Sequence, residues 1–232
     1  MPTLILLRHG RSTANTAGLL AGRTPGVGLD DLGREQAAGL PPRLAPLAPV
    51  AAVTSPLQRC SETLAPLTAA RPDLPVHTEE RLNECDYGEW TGRTLADLTD
   101  EPLMATVQQH PSGASFPGGE SLRAMQNRAV DAVRDWNARI TAEYGADACY
   151  LMCSHGDVLK SLVAEALGLH LDLFQRLSVS PCSVTVIRWT PQRPFLLRLG
   201  DTGELSSLAP APREEEPERA AGAGDATVGG GR

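Results

Sequence analysis

The sequence predicts an α/β fold of three layers, with a doubly wound, mostly parallel sheet between helices on both faces and an antiparallel edge strand. Short β-type runs alternate with helical patterns, which is the order typical of this fold class. The first three runs are apolar without interruption, as expected for strands that are covered on both faces. No break in composition divides the first two hundred residues, so we expect one domain over residues 1–204.

The predicted strands begin with the apolar run at residues 4–7. Four further β-type runs follow it, and the last two of them should pair antiparallel across the turn at residues 190–194. These four runs are residues 50–54, 149–153, 184–189 and 196–199.

Four helices are predicted between the strands, at residues 31–40, 57–70, 121–144 and 157–167. Local signals support their ends: Ser55-Pro56 precedes the second helix, and Gly145 and Gly168 follow the third and the fourth. The prolines between residues 41 and 49 should end the first helix. Residues 205–232 are rich in proline, alanine, glycine and glutamate, and we expect a disordered tail there.

Composition excludes several classes of function. The formal net charge is -7 and no basic run alternates with aromatic residues, so we expect neither a nucleic acid nor a membrane as a partner. The five cysteines are odd in number and lack zinc-site spacing, which favours free thiols in a reducing compartment. The N-terminal apolar run is too short for a secretory signal, so we expect a cytoplasmic protein.

Basic residues follow three of the predicted strands at the point where each one ends. Arg8 and His9 follow the first strand, Arg59 lies in the helix after the second, and His155 follows the third. Ligands of open α/β sheets bind beyond the carboxyl ends of the strands, so these side chains should face one crevice. Arg59 lies in the first turn of its helix, where its positive charge is added to the positive end of the helix dipole. This arrangement is unfavourable unless an anion binds between the two.

Two imidazoles and two guanidiniums favour phosphoryl transfer through a phosphohistidine. Arginine binds phosphate oxygens in bidentate fashion, and neutral imidazole attacks phosphorus once the phosphoryl charge is neutralised. The leaving oxygen also needs a proton. Three carboxylates in one segment, Glu84, Asp86 and Glu89, could supply it, and their spacing does not rank them.

The remaining histidines and two cysteines favour structural roles. His77, His110 and His170 are lone histidines, and a lone histidine in a domain of this size is more often a hydrogen-bonded structural or surface residue than a catalyst. Cys60 and Cys85 adjoin residues of interest, and we expect both to fill the core.

With these residues in place, the chain resembles the phosphoglycerate-mutase-like branch of the histidine phosphatase superfamily from about residue 2 to residue 199. Six motifs in family order carry the resemblance: RHGRSTAN (8–15), LDDLGREQA (29–37), SPLQRCSET (55–63), RLNECDYGEWTG (81–92), FPGGES (116–121) and SHGDVLK (154–160).

The resemblance implies a role for each matching residue. His9 matches the phosphorylated nucleophile, Glu84 the acid and base, and His155 the second histidine, which stabilises the phosphoryl group in transfer. The residues that match the family's phosphate ligands are Arg8, Arg59, Asn15 and, with a weaker match, Ser12. The resemblance implies a small phosphorylated metabolite as the substrate, with no metal and no cofactor.

Two enzymatic alternatives and one binding alternative stay open at this point. A phosphatase is favoured over a phosphomutase, because Arg93 and His110 are the only cations between Trp90 and Glu120 that could recruit a second acidic group. Arg23 and Arg93 are candidates for substrate specificity. A protein that binds phosphoesters without turnover is less favoured, because the expected catalytic set is complete. The sequence allows a homodimer without indicating one.

Overall fold

The structure is a computed structural model that describes residues 1–203, and the tail predicted at residues 205–232 lies outside the described residues. It contains a six-stranded sheet in the order β3-β2-β4-β1-β5-β6. The strands are β1 Thr3–Arg8, β2 Ala52–Thr54, β3 Val76–Thr78, β4 Cys149–Ser154, β5 Val184–Arg188 and β6 Phe195–Asp201.

The predicted doubly wound sheet is confirmed. β1 and β2 each pair with β4 in parallel, and β5 pairs antiparallel with both β1 and β6. The predicted antiparallel pair at the end of the chain is therefore correct. β3, which pairs in parallel with β2, was not predicted. It has three residues and its side chains are exposed or half-buried, so no apolar run marks it.

Eight α-helices occur within residues 1–203, and the four predicted ones are present within a few residues of their expected bounds. They are α1 Thr13–Thr16, α2 Asp31–Ala38, α3 Leu40–Leu44, α4 Gln58–Ala70, α5 Leu95–Leu98, α6 Pro102–Gln109, α7 Leu122–Tyr144 and α8 Gly156–Leu167. Short 3-10 helices lie at Ala45–Leu47, Glu80–Leu82, Gly88–Trp90, Pro111–Gly113 and Leu171–Arg176. No helix in the described part of the chain is long and apolar enough to span a lipid bilayer.

The predicted stop after the first helix is confirmed, but the prolines do more than end it. α2 ends at Ala38, and Pro41 and Pro42 lie in the first turn of α3. The first turn of a helix tolerates proline, because its backbone nitrogens have no partner within the helix.

Both faces of the sheet are covered by apolar side chains. Along β1, Leu4 and Leu6 belong to one buried cluster with residues of α7 and α8, while Ile5 and Leu7 belong to a second cluster with residues of α4. Alternate side chains of a strand point to opposite faces, so an uninterrupted apolar run is what two covered faces require.

The register of the parallel strands brings their carboxyl ends together. Arg8 at the end of β1 pairs with Ser154 at the end of β4, and Thr54 at the end of β2 pairs with Cys153. The backbone NH groups of His9 and Ser55 each continue the ladder, at 3.0 Å to carbonyls of β4. The loops that follow the three strands consequently leave the sheet side by side.

Two glycines allow the loop after β1 to touch α2. A Cβ on Gly10 would lie 2.8 Å from the carbonyl oxygen of Gly33, and a Cβ on Gly33 would overlap the carbonyl oxygen of Arg11. Both contacts are to backbone atoms, which cannot turn away as a flexible side chain could. This close approach fixes the position of the loop that carries His9.

We expect Gly33→Ala to destabilise the fold by about 1–3 kcal/mol, because the added methyl group overlaps backbone and forces α2 away from the loop. Chemical denaturation measures this change. The matched control is Gly39→Ala, whose Cβ would meet its nearest atom at 3.5 Å. We expect that control to stay within about 0.5 kcal/mol of the parent or to be slightly more stable. Equal losses in both variants would contradict the account.

Candidate active site

One pocket lies at the carboxyl ends of β1 and β2, with about 480 Å³ of empty space that is partly open to solvent. Most of the predicted site residues line it, together with residues of the loop at 18–22 and of α5. The lining residues are Arg8, His9, Ser12, Asn15, Gly18, Leu19, Leu20, Ala21, Gly22, Arg59, Glu84, Tyr87 and Leu95. His155 lies directly behind this wall, with its ring centroid 5.2 Å from that of His9.

His9 is held as one tautomer. Its Nδ1 lies 2.7 Å from the carbonyl oxygen of Gly10. A carbonyl oxygen only accepts, so Nδ1 carries the proton and the lone pair of the neutral ring is on Nε2. Burial lowers the pKa of His9 well below its ordinary value, and the positive charges of Arg59 and Arg8 lower it further. A buried, neutral imidazole with a free Nε2 lone pair is a nucleophile.

His155 is held as the opposite tautomer. Its Nδ1 accepts a hydrogen bond from Arg59 Nε at 3.2 Å, so its proton is on Nε2, which donates to Ser55 Oγ at 2.8 Å. Cys60 Sγ lies 3.6 Å from the same Nε2. Burial and the nearby charge of Arg59 hold the pKa of His155 well below its ordinary value. His155 therefore fixes the orientation of Arg59.

The two arginines are buried at the base of the pocket. Arg8 is 1% exposed and its Nη1 donates to the carbonyl oxygen of Val179 at 2.7 Å. Arg59 is 2% exposed, and its Nη2 donates to the carbonyl oxygen of Gly22 at 2.8 Å. The remaining nitrogen, Arg59 Nη1, is buried without a hydrogen-bond partner among the described residues. A buried, unpaired cationic donor is costly, and an anion in the pocket would offset this cost.

Ser12 and Asn15 form a capping box at the start of α1. Asn15 Oδ1 accepts from the backbone NH and the hydroxyl of Ser12, at 3.0 and 2.9 Å, and Asn15 N donates to Ser12 Oγ at 3.2 Å. With its oxygen occupied, Asn15 can offer a ligand only the amide Nδ2, which is a donor. This suits an anion in the pocket.

Glu84 is the carboxyl group of the pocket. The structure distinguishes the three acidic candidates that spacing could not rank: Glu84 lines the pocket, whereas Asp86 and Glu89 do not. Glu84 is buried and accepts a hydrogen bond from the backbone NH of Cys85 at 2.9 Å. Burial, and then the negative charge of Asp157, raise the pKa of Glu84 to about 7. A carboxyl group with this pKa can both give and take a proton near neutral pH.

A buried network beneath Glu84 contains Asp157, Tyr87 and Lys160. Tyr87 OH donates to Asp157 Oδ2 at 2.7 Å, and Lys160 Nζ lies 3.1 Å from Asp157 Oδ1. Lys160 also donates to Gln175 Oε1 at 2.6 Å. The charge of Asp157 is thus partly neutralised by a fixed ion pair.

Arg23 and Arg93, the candidates for specificity, do not line the pocket. Arg23 Nε donates to the carbonyl oxygen of Glu84 at 3.0 Å, and its Nη2 lies 2.9 Å from Glu120 Oε1. Arg93 Nη1 lies 2.6 Å from Glu101 Oε1. Arg23 thus lies behind the Glu84 backbone, and Arg93 is held on the outside of the pocket wall.

The histidines and cysteines predicted to be structural lie in packed or ion-paired positions. His77 packs against Trp136 with the two rings tilted and their centroids 5.0 Å apart. His110 and His170 both flank Asp172, at 3.0 and 3.1 Å. Cys60 and Cys85 are fully buried free thiols. None of the five lines the pocket.

Sequence reasoning missed the residues beneath and around Glu84. Tyr87 lies in the same motif but was not singled out. Lys160, the single lysine of the chain, was not singled out either. The spacing of Asp157 and Lys160, one helical turn apart directly after the Ser154-His155 pair, was the signal that could have found the buried ion pair.

Comparison with known proteins identifies the family of this chain and several relatives. Residues 4–202 match the family model of the histidine phosphatase superfamily, branch 1. A glucosyl-3-phosphoglycerate phosphatase of Mycolicibacterium vanbaalenii is 31% identical over 73% of this chain and 76% of its own. A 2,3-bisphosphoglycerate-dependent phosphoglycerate mutase of Gloeobacter violaceus is 29% identical over 78% and 83%. The solved structure of YhfR of Bacillus stearothermophilus superposes with a TM-score of 0.78 at 28% identity, over 87% of this chain and 98% of that one.

We expect both imidazoles to be neutral in the free protein at about pH 6, where an unperturbed histidine is mostly protonated. The pKa values of both rings are lowered because burial and the adjacent guanidinium groups disfavour a further positive charge. Nitrogen-15 chemical shifts of the ring atoms would show His9 protonated at Nδ1 and His155 at Nε2. In the urea-unfolded chain both rings should titrate normally. Ordinary titration in the folded protein would contradict the described geometry.

Proposed function

Because the chain belongs to the histidine phosphatase superfamily, branch 1, we propose that it is a phosphatase that hydrolyses the monoester of a small phosphorylated metabolite through a phosphohistidine. The observation that carries the proposal is the buried Arg59 Nη1, which has no hydrogen-bond partner within residues 1–203 and lies in the same pocket as the His9 imidazole. An ester phosphate would supply the missing partner and place phosphorus next to the nucleophile.

We propose two chemical steps. In the first, the lone pair of His9 Nε2 attacks phosphorus, the bond from phosphorus to the ester oxygen breaks, and Glu84 gives its proton to the leaving oxygen. In the second, Glu84 takes a proton from water as the water oxygen attacks phosphorus, and the bond from phosphorus to Nε2 breaks. The products are the alcohol and inorganic phosphate, and Glu84 ends the cycle protonated again.

Arg8 and Arg59 would hold the equatorial phosphate oxygens and stabilise the charge that develops on them. Asn15 Nδ2 would add a neutral donor, oriented by the capping box with Ser12. His155 holds Arg59 in the free protein. A bound phosphoryl dianion would favour the protonated form of His155, which would add positive charge next to His9. These guanidinium and imidazole donors neutralise the phosphate without a metal ion.

A phosphomutase is the alternative, since one relative bears that name. A mutase must hold a second acidic group while the phosphoryl group is on histidine. The two cations of the segment between Trp90 and Glu120 that could do so are both occupied, Arg93 by Glu101 at 2.6 Å and His110 by Asp172 at 3.0 Å. This supports hydrolysis as the outcome of the second step.

For location, we propose the cytoplasm. The five cysteines all lie within the described residues and carry free thiols, which suits a reducing compartment. The homodimer stays a prediction.

We expect the purified protein to release phosphate from monoesters with a chelator present, and His9→Ala to lose this activity by at least about 10³-fold, because no other group can form the covalent intermediate. Rapid quenching should trap acid-labile phosphohistidine in the parent and none in His9→Ala. His170→Ala is the matched control, since His170 is exposed and outside the pocket. Isomer interconversion without free phosphate would make the protein a mutase, and binding without phosphohistidine would make it non-catalytic.

We expect kcat/KM for an alkyl phosphate to fall as the pH rises through about 7, because Glu84 then loses the proton that the leaving alkoxide needs. In Asp157→Asn the falling limb should move to lower pH, because a neighbouring negative charge is gone and Glu84 ionises more easily. The pH profile of each variant is the measurement.

Glu84→Gln is the control for this experiment. The pH profile of this variant should lack the falling limb, and its rate on the alkyl ester should be about 10²- to 10⁴-fold lower. With 4-nitrophenyl phosphate, whose leaving group needs no proton, the loss should be smaller. An unmoved limb in Asp157→Asn would show that Asp157 does not set the protonation of Glu84.

A further inference from the structure

We infer that the substrate is a monoester whose alcohol part is apolar and carries no second charged group, an inference that rests on the proposed phosphatase function. The pocket has two ends of different chemistry. The arginine, histidine and glutamate side chains of its lining, Arg8, His9, Arg59 and Glu84, together form the phosphate end. The rest of the lining is uncharged.

The wall beyond the phosphate end is built from Leu19, Leu20, Ala21 and Leu95. Leu19 is 36% exposed, so it presents apolar surface at the mouth of the pocket, whereas Leu20 is buried and belongs to the core. An exposed large apolar side chain beside a catalytic pocket is positioned to contact a ligand.

This apolar wall is held by backbone hydrogen bonds. Leu20 N donates to the carbonyl oxygen of Arg93 at 3.0 Å, and Leu95 N donates to the carbonyl oxygen of Gly18 at 2.9 Å. Leu19 and Thr94 form an isolated antiparallel bridge between the same two segments. Because both segments are tied together, the leucine side chains form a preformed surface.

The cations closest in sequence to this wall are already paired. Arg11 Nε lies 2.6 Å from Asp30 Oδ2. Arg23 lies 2.9 Å from Glu120, and Arg93 lies 2.6 Å from Glu101. A carboxylate or second phosphate on the substrate would have to break one of these pairs to find a partner.

The energetic consequence depends on what the alcohol part carries. An anionic group placed against Leu19 and Leu95 would lose hydration without gaining a charged donor, which is costly. An alkyl or aryl group would remove apolar surface from water on both sides, which is favourable. The pocket therefore selects an uncharged, apolar alcohol part. A phosphoglycerate ester carries a carboxylate, so this selection would separate the chain from the relatives named for phosphoglycerate derivatives.

The test compares two esters that differ only at the far end: hexyl phosphate and 6-(phosphonooxy)hexanoic acid, which carries a terminal carboxylate. Both leave as primary alkoxides, so the chemical step is matched. We expect kcat/KM to favour hexyl phosphate by about tenfold or more, with the difference in KM. Equal efficiency, or a preference for the carboxylate, would overturn the inference while leaving the phosphatase function intact.

Two variants connect the preference to the wall. Leu19→Ala should reduce the preference for hexyl phosphate, because it removes apolar contact surface. Leu19→Arg should raise kcat/KM for the carboxylate ester, because it supplies the missing cation. Leu32→Ala is the matched control, since Leu32 is equally exposed but lies outside the pocket. A preference that is the same in all three variants would place recognition elsewhere and overturn the inference.

A binding measurement separates failure of the inference from failure of the proposed function. Hexylphosphonate and 6-phosphonohexanoate cannot be hydrolysed, and calorimetry gives the affinity of each for the intact protein. Tighter binding of hexylphosphonate supports the apolar class whether or not turnover is seen. If neither ester releases phosphate, the proposed function fails, and the phosphonate pair still decides the class of ligand.

Discussion

The geometry of the site depends on two guanidinium groups that are buried away from water at the carboxyl edge of the sheet. Arg8 and Arg59 are both almost fully buried, and removing a charge from water costs several kcal/mol unless partners replace the lost hydration. Carbonyl oxygens of Val179 and Gly22 and a ring nitrogen of His155 replace part of it. Arg59 Nη1 has no hydrogen-bond partner in the part of the chain that the structure describes. The fold therefore stabilises a positive site that is completed only by an anion.

The burial of this positive charge explains the protonation states of the two histidines in the site. Each imidazole is surrounded by positive charge and low-dielectric protein, so each stays neutral, and the partner of each ring decides which nitrogen carries the proton. His9 donates a hydrogen bond from its Nδ1–H group to the carbonyl oxygen of Gly10 and keeps its Nε2 lone pair. His155 uses its Nδ1 lone pair to hold Arg59. The same electrostatic field thus produces a nucleophile from one ring and a positioning group from the other.

The sequence was sufficient to predict the strands that carry the site, because apolar runs and strand-end residues are local signals. It was sufficient to bring Arg8, His9, Arg59 and His155 together, since parallel strands share one carboxyl edge. Spacing alone could not rank Glu84 above Asp86 and Glu89, and only the family resemblance favoured Glu84, because the ranking depends on which side chain turns inward from the loop. The spacing of Asp157 and Lys160 could have indicated their pairing but not its burial, because burial of a charge is a tertiary property.

The apolar wall and the proposed catalytic acid belong to one pocket. Leu19, Leu20 and Leu95 line it together with Glu84, and burial raises the pKa of Glu84 by disfavouring its ionised form. A polar wall that recruited a second anionic group would bring water and cations towards Glu84, and both would lower its pKa. Recognition of a charged alcohol part would then weaken the protonation that an alkoxide leaving group requires. A site of this construction is therefore best matched to esters that are apolar and also poor leaving groups.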